Sequence, residues 1–174
     1  MEKFDITKAP LETERKFLIK YPDIDALKAM PGYRVRHIEQ SYLSAESSFS
    51  GGRIRRITDD KGVKYVYTYK LRLSDMTRRE YEREISEGEY EELLAQKAPD
   101  SITIIKDRHI FGYAGLTYEL DVYDFWDDKA TLEAEVESED APIPIPPCVE
   151  LIKDVTDDRR YNNSRLAVNR GVIP

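Results

Sequence analysis

The chain has 174 residues, 40% of them hydrophobic and 35% charged, with a net charge of −7 at pH 7. That length suits one domain over 1–174 with a core over about 11–167, large enough to bury a sizeable interior. The acidic balance disfavours general binding to long nucleic acid or an anionic membrane, and twelve tyrosines argue against disorder. No apolar run approaches the roughly 18 residues of a membrane helix, and no signal-peptide core follows the acid-bearing Met1-Glu2-Lys3-Phe4-Asp5. The single Cys148 forms no internal disulfide, so a reducing cytoplasm is expected.

Residues 11–20 read as a strand, and 23–30 as a short helix after Pro22, stopped by Pro31-Gly32. Residues 33–44 are strand-like, and 46–52 form a polar loop ending in Gly51-Gly52. Strands at 53–58 and 63–73 make a hairpin around Asp59-Asp60-Lys61-Gly62, and 78–85 follows after a turn at 74–77. Ser86-Glu87-Gly88-Glu89 has the form of a capping box, which predicts a helix to about residue 98, before Pro99. A second hairpin joins 102–113 to 116–124 through Ala114-Gly115, and 131–138 is the last clear strand. Pro142, Pro144, Pro146 and Pro147 forbid regular structure. A helical turn opened by Cys148 is expected at 149–154, and a C-terminal helix at 162–170. Eight strands with few helices predict an α+β fold built on a closed antiparallel barrel.

The strands share one habit. Glu12-Thr13-Glu14-Arg15-Lys16 places two carboxylates and an ammonium at two-residue spacing, hence on one strand face, with Thr13, Arg15 and Phe17 on the other. Arg53 and Arg55, Thr68 and Lys70, Lys106 and Arg108, and Glu119 and Asp121 do the same. Two rows are longer: Arg78, Glu80, Glu82 and Glu84, and Glu133, Glu135 and Glu137. A sheet with one wet face is the ordinary explanation. Two acid rows argue otherwise, because like charges near one another on a sheet are destabilising. The opposite faces are apolar or aromatic in several strands. If those faces pack outward against helices, the charges line an enclosed interior that needs a polyanion and metal ions to neutralise it.

The same residues resemble the CYTH family of triphosphate tunnel metalloenzymes. Glu12-Thr13-Glu14-Arg15-Lys16 is similar to its E-x-E-x-K, Gln40-Ser41-Tyr42-Leu43 to its Q-x-Y-L, and Arg53-Ile54-Arg55 to its R-x-R. Thr68-Tyr69-Lys70, Arg78-Arg79-Glu80-Tyr81-Glu82 and Lys106-Asp107-Arg108 resemble T-x-K, R-x-E-x-E and K-x-R. Glu119-Leu120-Asp121-Val122-Tyr123 resembles E-x-D-x-F, and Ala134-Glu135-Val136-Glu137 resembles A-E-x-E. Asp154-Val155-Thr156 with Arg160-Tyr161-Asn162 resembles the closing E-V-T and R-Y-x-N. Each motif alone is weak, but their shared order across 11–167 is specific. Tyr123 stands where Phe is common, Tyr118 where Trp is often found, and Asp154 where Glu is usual. The shorter Asp154 is left out of the metal set.

The resemblance implies an eight-stranded tunnel that binds a triphosphate and one or two divalent cations, Mg²⁺ or Mn²⁺. It assigns metal binding to Glu12, Glu14, Glu135 and Glu137, with Asp121. Carboxylates suit such hard cations, and two histidines and one cysteine argue against zinc; His37 and His109 read as structural. The triphosphate falls to Lys16, Arg53, Arg55, Lys70 and Arg108, with Arg78, Lys106 and Arg160 behind them, since arginine offers a bidentate fork and lysine a point charge. Glu80 and Glu82 either hold a second metal or orient neighbouring arginines. Glu84 and Glu133, at the ends of their rows, are expected to be solvated. Tyr42 is a candidate proton acceptor, with core packing as its rival reading. The expected reaction is metal-dependent hydrolysis of inorganic tripolyphosphate or a nucleoside triphosphate. The alternatives are a CYTH-type adenylyl cyclase, a non-catalytic polyphosphate-binding module and an RNA 5′-triphosphatase.

Overall fold

The computed structural model of the chain describes residues 4–49 and 51–174. Met1, Glu2 and Lys3 of the acid-bearing N-terminus and Ser50 of the polar loop lie outside them. The strands are β1 (Leu11–Lys20), β2 (Arg34–Tyr42), β3 (Arg53–Asp59), β4 (Gly62–Arg72), β5 (Thr77–Ile85), β6 (Ile104–Tyr113), β7 (Leu116–Tyr123), β8 (Lys129–Glu135) and β9 (Leu151–Asp154). They form one sheet in the order β5-β4-β3-β2-β6-β7-β8-β1-β9, and a further β5–β1 pairing closes the first eight into an antiparallel barrel. Closure satisfies the edges that an open sheet would expose.

β1 is the seam. Leu11, Glu12 and Thr13 pair with Arg79, Arg78 and Thr77 of β5, and Phe17 to Ile19 pair with β9. From Glu14 to Lys20 the strand also pairs with β8. Where β5 runs past the start of β1, the chain before β1 packs against it: Glu80 donates its amide to the Pro10 carbonyl, and Phe4 stacks on Tyr81. A cavity of about 550 Å³ opens there, lined by Phe4, Lys8, Glu12, Glu80, Tyr81 and Glu82 among others.

The alternation places apolar side chains outside the barrel. Phe17, Ile19, Phe111, Leu120 and Leu132 form one outer cluster with Leu27 of α1 (Ile24–Lys28). The proline-rich stretch adds Ile143, Ile145, Cys148 and Val149 to it. Leu43, Ile54, Tyr67 and Ile85 form a second, under Tyr90 and Leu93 of α2 (Glu87–Leu94). Burying such side chains contributes about 1.5–3 kcal/mol each, which holds the helices to the wall. The capping box forms, with both Ser86 and Glu89 hydrogen bonds present. One end of the barrel is stoppered. Inward Leu18, Ile104 and Tyr123 pack with Tyr161 and with Leu166 and Ala167 of α3 (Asn163–Asn169). The Tyr123 hydroxyl donates to Asn163 Oδ1 at 2.8 Å.

Three elements depart from expectation. Residues 151–154 are a strand because β1 offers them a free edge, and Cys148 sits in the turn before it. α2 ends at Leu94, where the chain bends so that Leu43 and Lys97 bridge. β8 ends at Glu135, after which the Val136 amide still reaches the Thr13 carbonyl at 2.8 Å. No helix among the described residues is long and apolar enough to cross a membrane.

Candidate active site

The charged rows line the barrel interior. Seven basic side chains (Lys16, Arg53, Arg55, Lys70, Arg78, Lys106 and Arg108) share inward faces with eight carboxylates (Glu12, Glu14, Glu80, Glu82, Glu119, Asp121, Glu133 and Glu135). The two signs nearly cancel. A polyanion therefore gains little net attraction unless cations accompany it.

The β3–β4–β5 wall carries the arginine fork. Arg55 donates to Glu82 at 2.7 Å and to the Thr68 hydroxyl at 3.3 Å. Lys70 lies 2.8 Å and Arg53 3.9 Å from Glu80, and Arg78 pairs with Glu14. Each guanidinium remains partly unmet: the buried Nε atoms of Arg53, Arg55 and Arg78 have no hydrogen-bond partner among the described residues. A buried donor left without an acceptor costs about 1–3 kcal/mol, so three of them on one wall mark where an oxygen-rich ligand belongs. Burial and the neighbouring Arg53 push Arg55 down to about 10, with Glu82 opposing. Although burial works against its charge, Glu80 is drawn down to about 2 by Lys70, Glu12 and Arg53. Both carboxylates hold basic groups in place here.

The β6–β7–β8 wall is paired differently. Asp121 Oδ1 accepts from Arg108 Nε at 2.7 Å, and Oδ2 accepts from Lys106 Nζ at 2.7 Å and Arg108 Nη2 at 2.8 Å. The Lys106 and Asp121 side chains are each 1% exposed. Against burial, Arg108 and Lys106 hold Asp121 well below the carboxylate range. Burial pushes Lys106 down to about 7, with Arg108 helping and Asp121 opposing. Both Asp121 oxygens are thus occupied by cations, and the Lys106 ammonium is sealed in. Arg108 also pairs with Glu119.

Lys16 pairs with Glu133 at 3.0 Å. Glu133 is not solvated, as its place at the end of a row suggested; burial notwithstanding, Lys16 and Arg108 hold it down to about 2. Glu84, at the end of its own row, is exposed. Arg160 stands apart from these rows. It lies in the 3-10 turn Arg159–Tyr161, exposed, gripped by Asp158 and the Pro174 carbonyl, outside the tunnel. Arg15, on the outer face of β1, pairs with Asp154 of β9.

Tyr42 stands opposite Arg53 in the β2–β3 register and packs its ring on the stopper, while Gln40 Nε2 donates to its hydroxyl at 2.7 Å. His109 bonds the Tyr33 hydroxyl at 2.9 Å and His37 pairs with Asp107 at 2.8 Å, both outside the tunnel.

The remaining carboxylates surround the seam. Glu14 faces Glu135 across β1 and β8. Burial and a hydrogen bond shared with Glu80 push Glu12 up to about 8. Two carboxyl groups this close need a positive charge between them, a proton or a metal. That donor set fits a hard divalent cation. It is dispersed over β1, β5 and β8: among the described residues no three His, Cys, Asp or Glu side chains are gathered into a cage. Glu137 lies past β8, exposed.

A protein-family model, the CYTH domain, matches residues 10–144. The chain belongs to the CYTH family. Dependence on a divalent metal goes with that membership. Two CYTH relatives named inorganic triphosphatase are similar along nearly their whole length. One, from Nitrosomonas europaea, is 31% identical over 91% of this chain and 97% of its own. The other, from Acetivibrio thermocellus, is 30% identical over 91% and 94%. The crystal structure of an inorganic triphosphatase superposes with a TM-score of 0.57 at 28% identity, covering 90% of this chain and 94% of that one. A Pyrococcus horikoshii protein shares the fold at a TM-score of 0.56 and 23% identity, covering 74% of this chain and 80% of that one.

Proposed function

We propose that this CYTH protein is a divalent-metal-dependent triphosphatase that hydrolyses inorganic tripolyphosphate inside its barrel. The observation that carries the reading is the wall of arginines, Arg53, Arg55 and Arg78, each with a buried Nε–H that has no partner among the described residues. The names of its two relatives favour the inorganic substrate over a nucleotide.

Arg53, Arg55, Arg78 and Lys70 bind the phosphoryl oxygens and disperse their charge. Glu80 and Glu82 hold those cations in place. Glu12, Glu14, Glu135 and Glu137 would hold Mg²⁺ or Mn²⁺, and Asp121 instead anchors Lys106 and Arg108. A bound divalent cation supplies charge neutralisation and polarises a phosphoryl oxygen or the attacking water. Its charge also completes the balance that a near-neutral tunnel lacks. Tyr42 is placed, beside Arg53 and oriented by Gln40, to serve in proton transfer. Water attacks the terminal phosphorus in line, the bridging P–O bond breaks, and pyrophosphate and phosphate leave. Positioning and electrostatics supply most of the rate, and no covalent nucleophile is needed.

The test is a panel of tripolyphosphate, pyrophosphate, ATP and thiamine triphosphate, each with Mg²⁺ and with Mn²⁺, resolving every product. Phosphate release fastest from tripolyphosphate supports the proposal. Cyclic AMP from ATP without phosphate from tripolyphosphate replaces it with a cyclase. Tight metal-independent binding without turnover replaces it with a binding module.

A further inference from the structure

Lys16 and Glu133 face each other across β1 and β8, one inward step deeper than the Glu14–Glu135 pair. Their charged atoms lie 3.0 Å apart, and the side chains are only 10% and 13% exposed. Asp121 serves both Lys106 and Arg108, and Glu80 both Lys70 and Arg53, whereas Glu14, Glu82 and Glu119 each hold one cation. Among the described residues Glu133 has one salt-bridge partner, Lys16. None of the recognised motifs contains it.

An ammonium carries three N–H donors. Glu133 engages one, which leaves two for oxygens in the lumen. Lysine is a point charge on a flexible four-carbon stem, and fixing that stem costs rotamer freedom each time a ligand binds. A buried partner fixes it beforehand. An isolated buried ion pair adds little stability over a well-packed apolar pair, so stability alone is a weak reason for placing one here.

We propose that Glu133 is a positioning residue for triphosphate binding: it holds Lys16 extended across the tunnel toward a phosphoryl oxygen and touches no substrate itself. This rests on the triphosphatase reading above.

The experiment compares Glu133→Gln, Lys16→Met and the double variant with the wild type. Two readouts are used: steady-state tripolyphosphate hydrolysis with Mg²⁺, and calorimetric binding of tripolyphosphate without divalent metal. An interaction made equally in ground and transition states moves KM rather than kcat, so Glu133→Gln is expected to raise KM roughly tenfold and leave kcat within about threefold. In the Lys16→Met background the same substitution is expected to add less than about twofold, because the residue acts only through that ammonium. An unchanged KM with a fallen kcat overturns the proposal, and so does an undiminished effect in the Lys16→Met background.

If the wild type releases no phosphate but metal-free binding has the same non-additive pattern, the activity reading fails and the positioning role stands. Binding without coupling defeats the positioning role alone. Should Glu133→Gln fail to fold, Lys16→Met/Glu133→Leu removes both charges together. Matching Lys16→Met in KM supports the proposal, and a further rise counts against it.

Discussion

Asp121→Asn separates two accounts of one carboxylate. As a metal ligand, Asp121 would matter for the metal requirement. As the anchor of Lys106 and Arg108, it matters first for folding. The substitution removes the one salt-bridge partner that Lys106, 1% exposed, has among the described residues and strips Arg108 of a bidentate partner, leaving it Glu119. Breaking a buried pair from one side costs about 3–5 kcal/mol. At about 2–4 °C per kcal/mol for a chain of this length, the melting temperature should fall by roughly 6–20 °C. Raising the pH should shrink the loss, because burial already lowers Lys106 and an unpaired ammonium sheds its proton first. Excess tripolyphosphate should raise Tm about equally in the variant and the wild type, since the sealed Lys106 lies beyond its reach. The assay is thermal unfolding by circular dichroism, with and without tripolyphosphate, beside the Mg²⁺ half-saturation of phosphate release. A Tm within about 2 °C of the wild type, together with a tenfold or larger rise in the Mg²⁺ requirement, refutes the anchoring role.

Arg15→Ala should spare hydrolysis, because Arg15 lies outside the barrel with Asp154, while Glu12→Ala and Glu14→Ala should abolish it; equal losses in a phosphate-release assay contradict the strand facing. Arg55→Lys keeps the charge but loses the planar fork, and kcat/KM for tripolyphosphate should drop at least roughly tenfold. Tyr42→Phe leaves the ring on the stopper and removes only the hydroxyl. kcat should fall by roughly a hundredfold with Tm nearly unchanged, and full activity would leave the tyrosine with packing alone. Glu133 has its ordinary value of 4.5 lowered to about 2. Its contribution of about 3 kcal/mol is complete above pH 4.5 and disappears as pH falls toward 2. In acid unfolding titrations Glu133→Gln should therefore be less stable than the wild type at pH 6 and converge with it near pH 2.

The barrel was legible because its signal is periodic. Two-residue alternation of charge sorts side chains to two faces whatever the tertiary context, and β1, β3, β5 and β8 follow it closely. Depth along the tunnel is not periodic. Glu133 and Glu135 occupy the same face, yet one is sealed beside Lys16 and the other exposed. Nothing in the row distinguishes them until strands from both sides close over it. Asp121 is similar: its face was readable, but its two cations come from β6, a hairpin away. β9 escaped notice because Leu151-Ile152-Lys153-Asp154 has no alternation and follows four prolines; only the vacant edge of β1 makes it a strand. Arg160 was placed by motif order, which carries no information on where a guanidinium points. Asp158, two residues away, captures it.

The division of β1 among three partners has a consequence for how the molecule is made. Its pairings reach to 77–79, to 129–135 and to 151–154. Among these nine strands β1 emerges first and is completed last. Glu12 meets Arg78 only after about 65 later residues have been added, Glu14 meets Glu135 after about 120, and β9 arrives after about 140; contacts of such long range form slowly. Glu14 of β1 faces Glu135 only once β8 is complete, so metal affinity should appear abruptly at that step rather than build up with chain length.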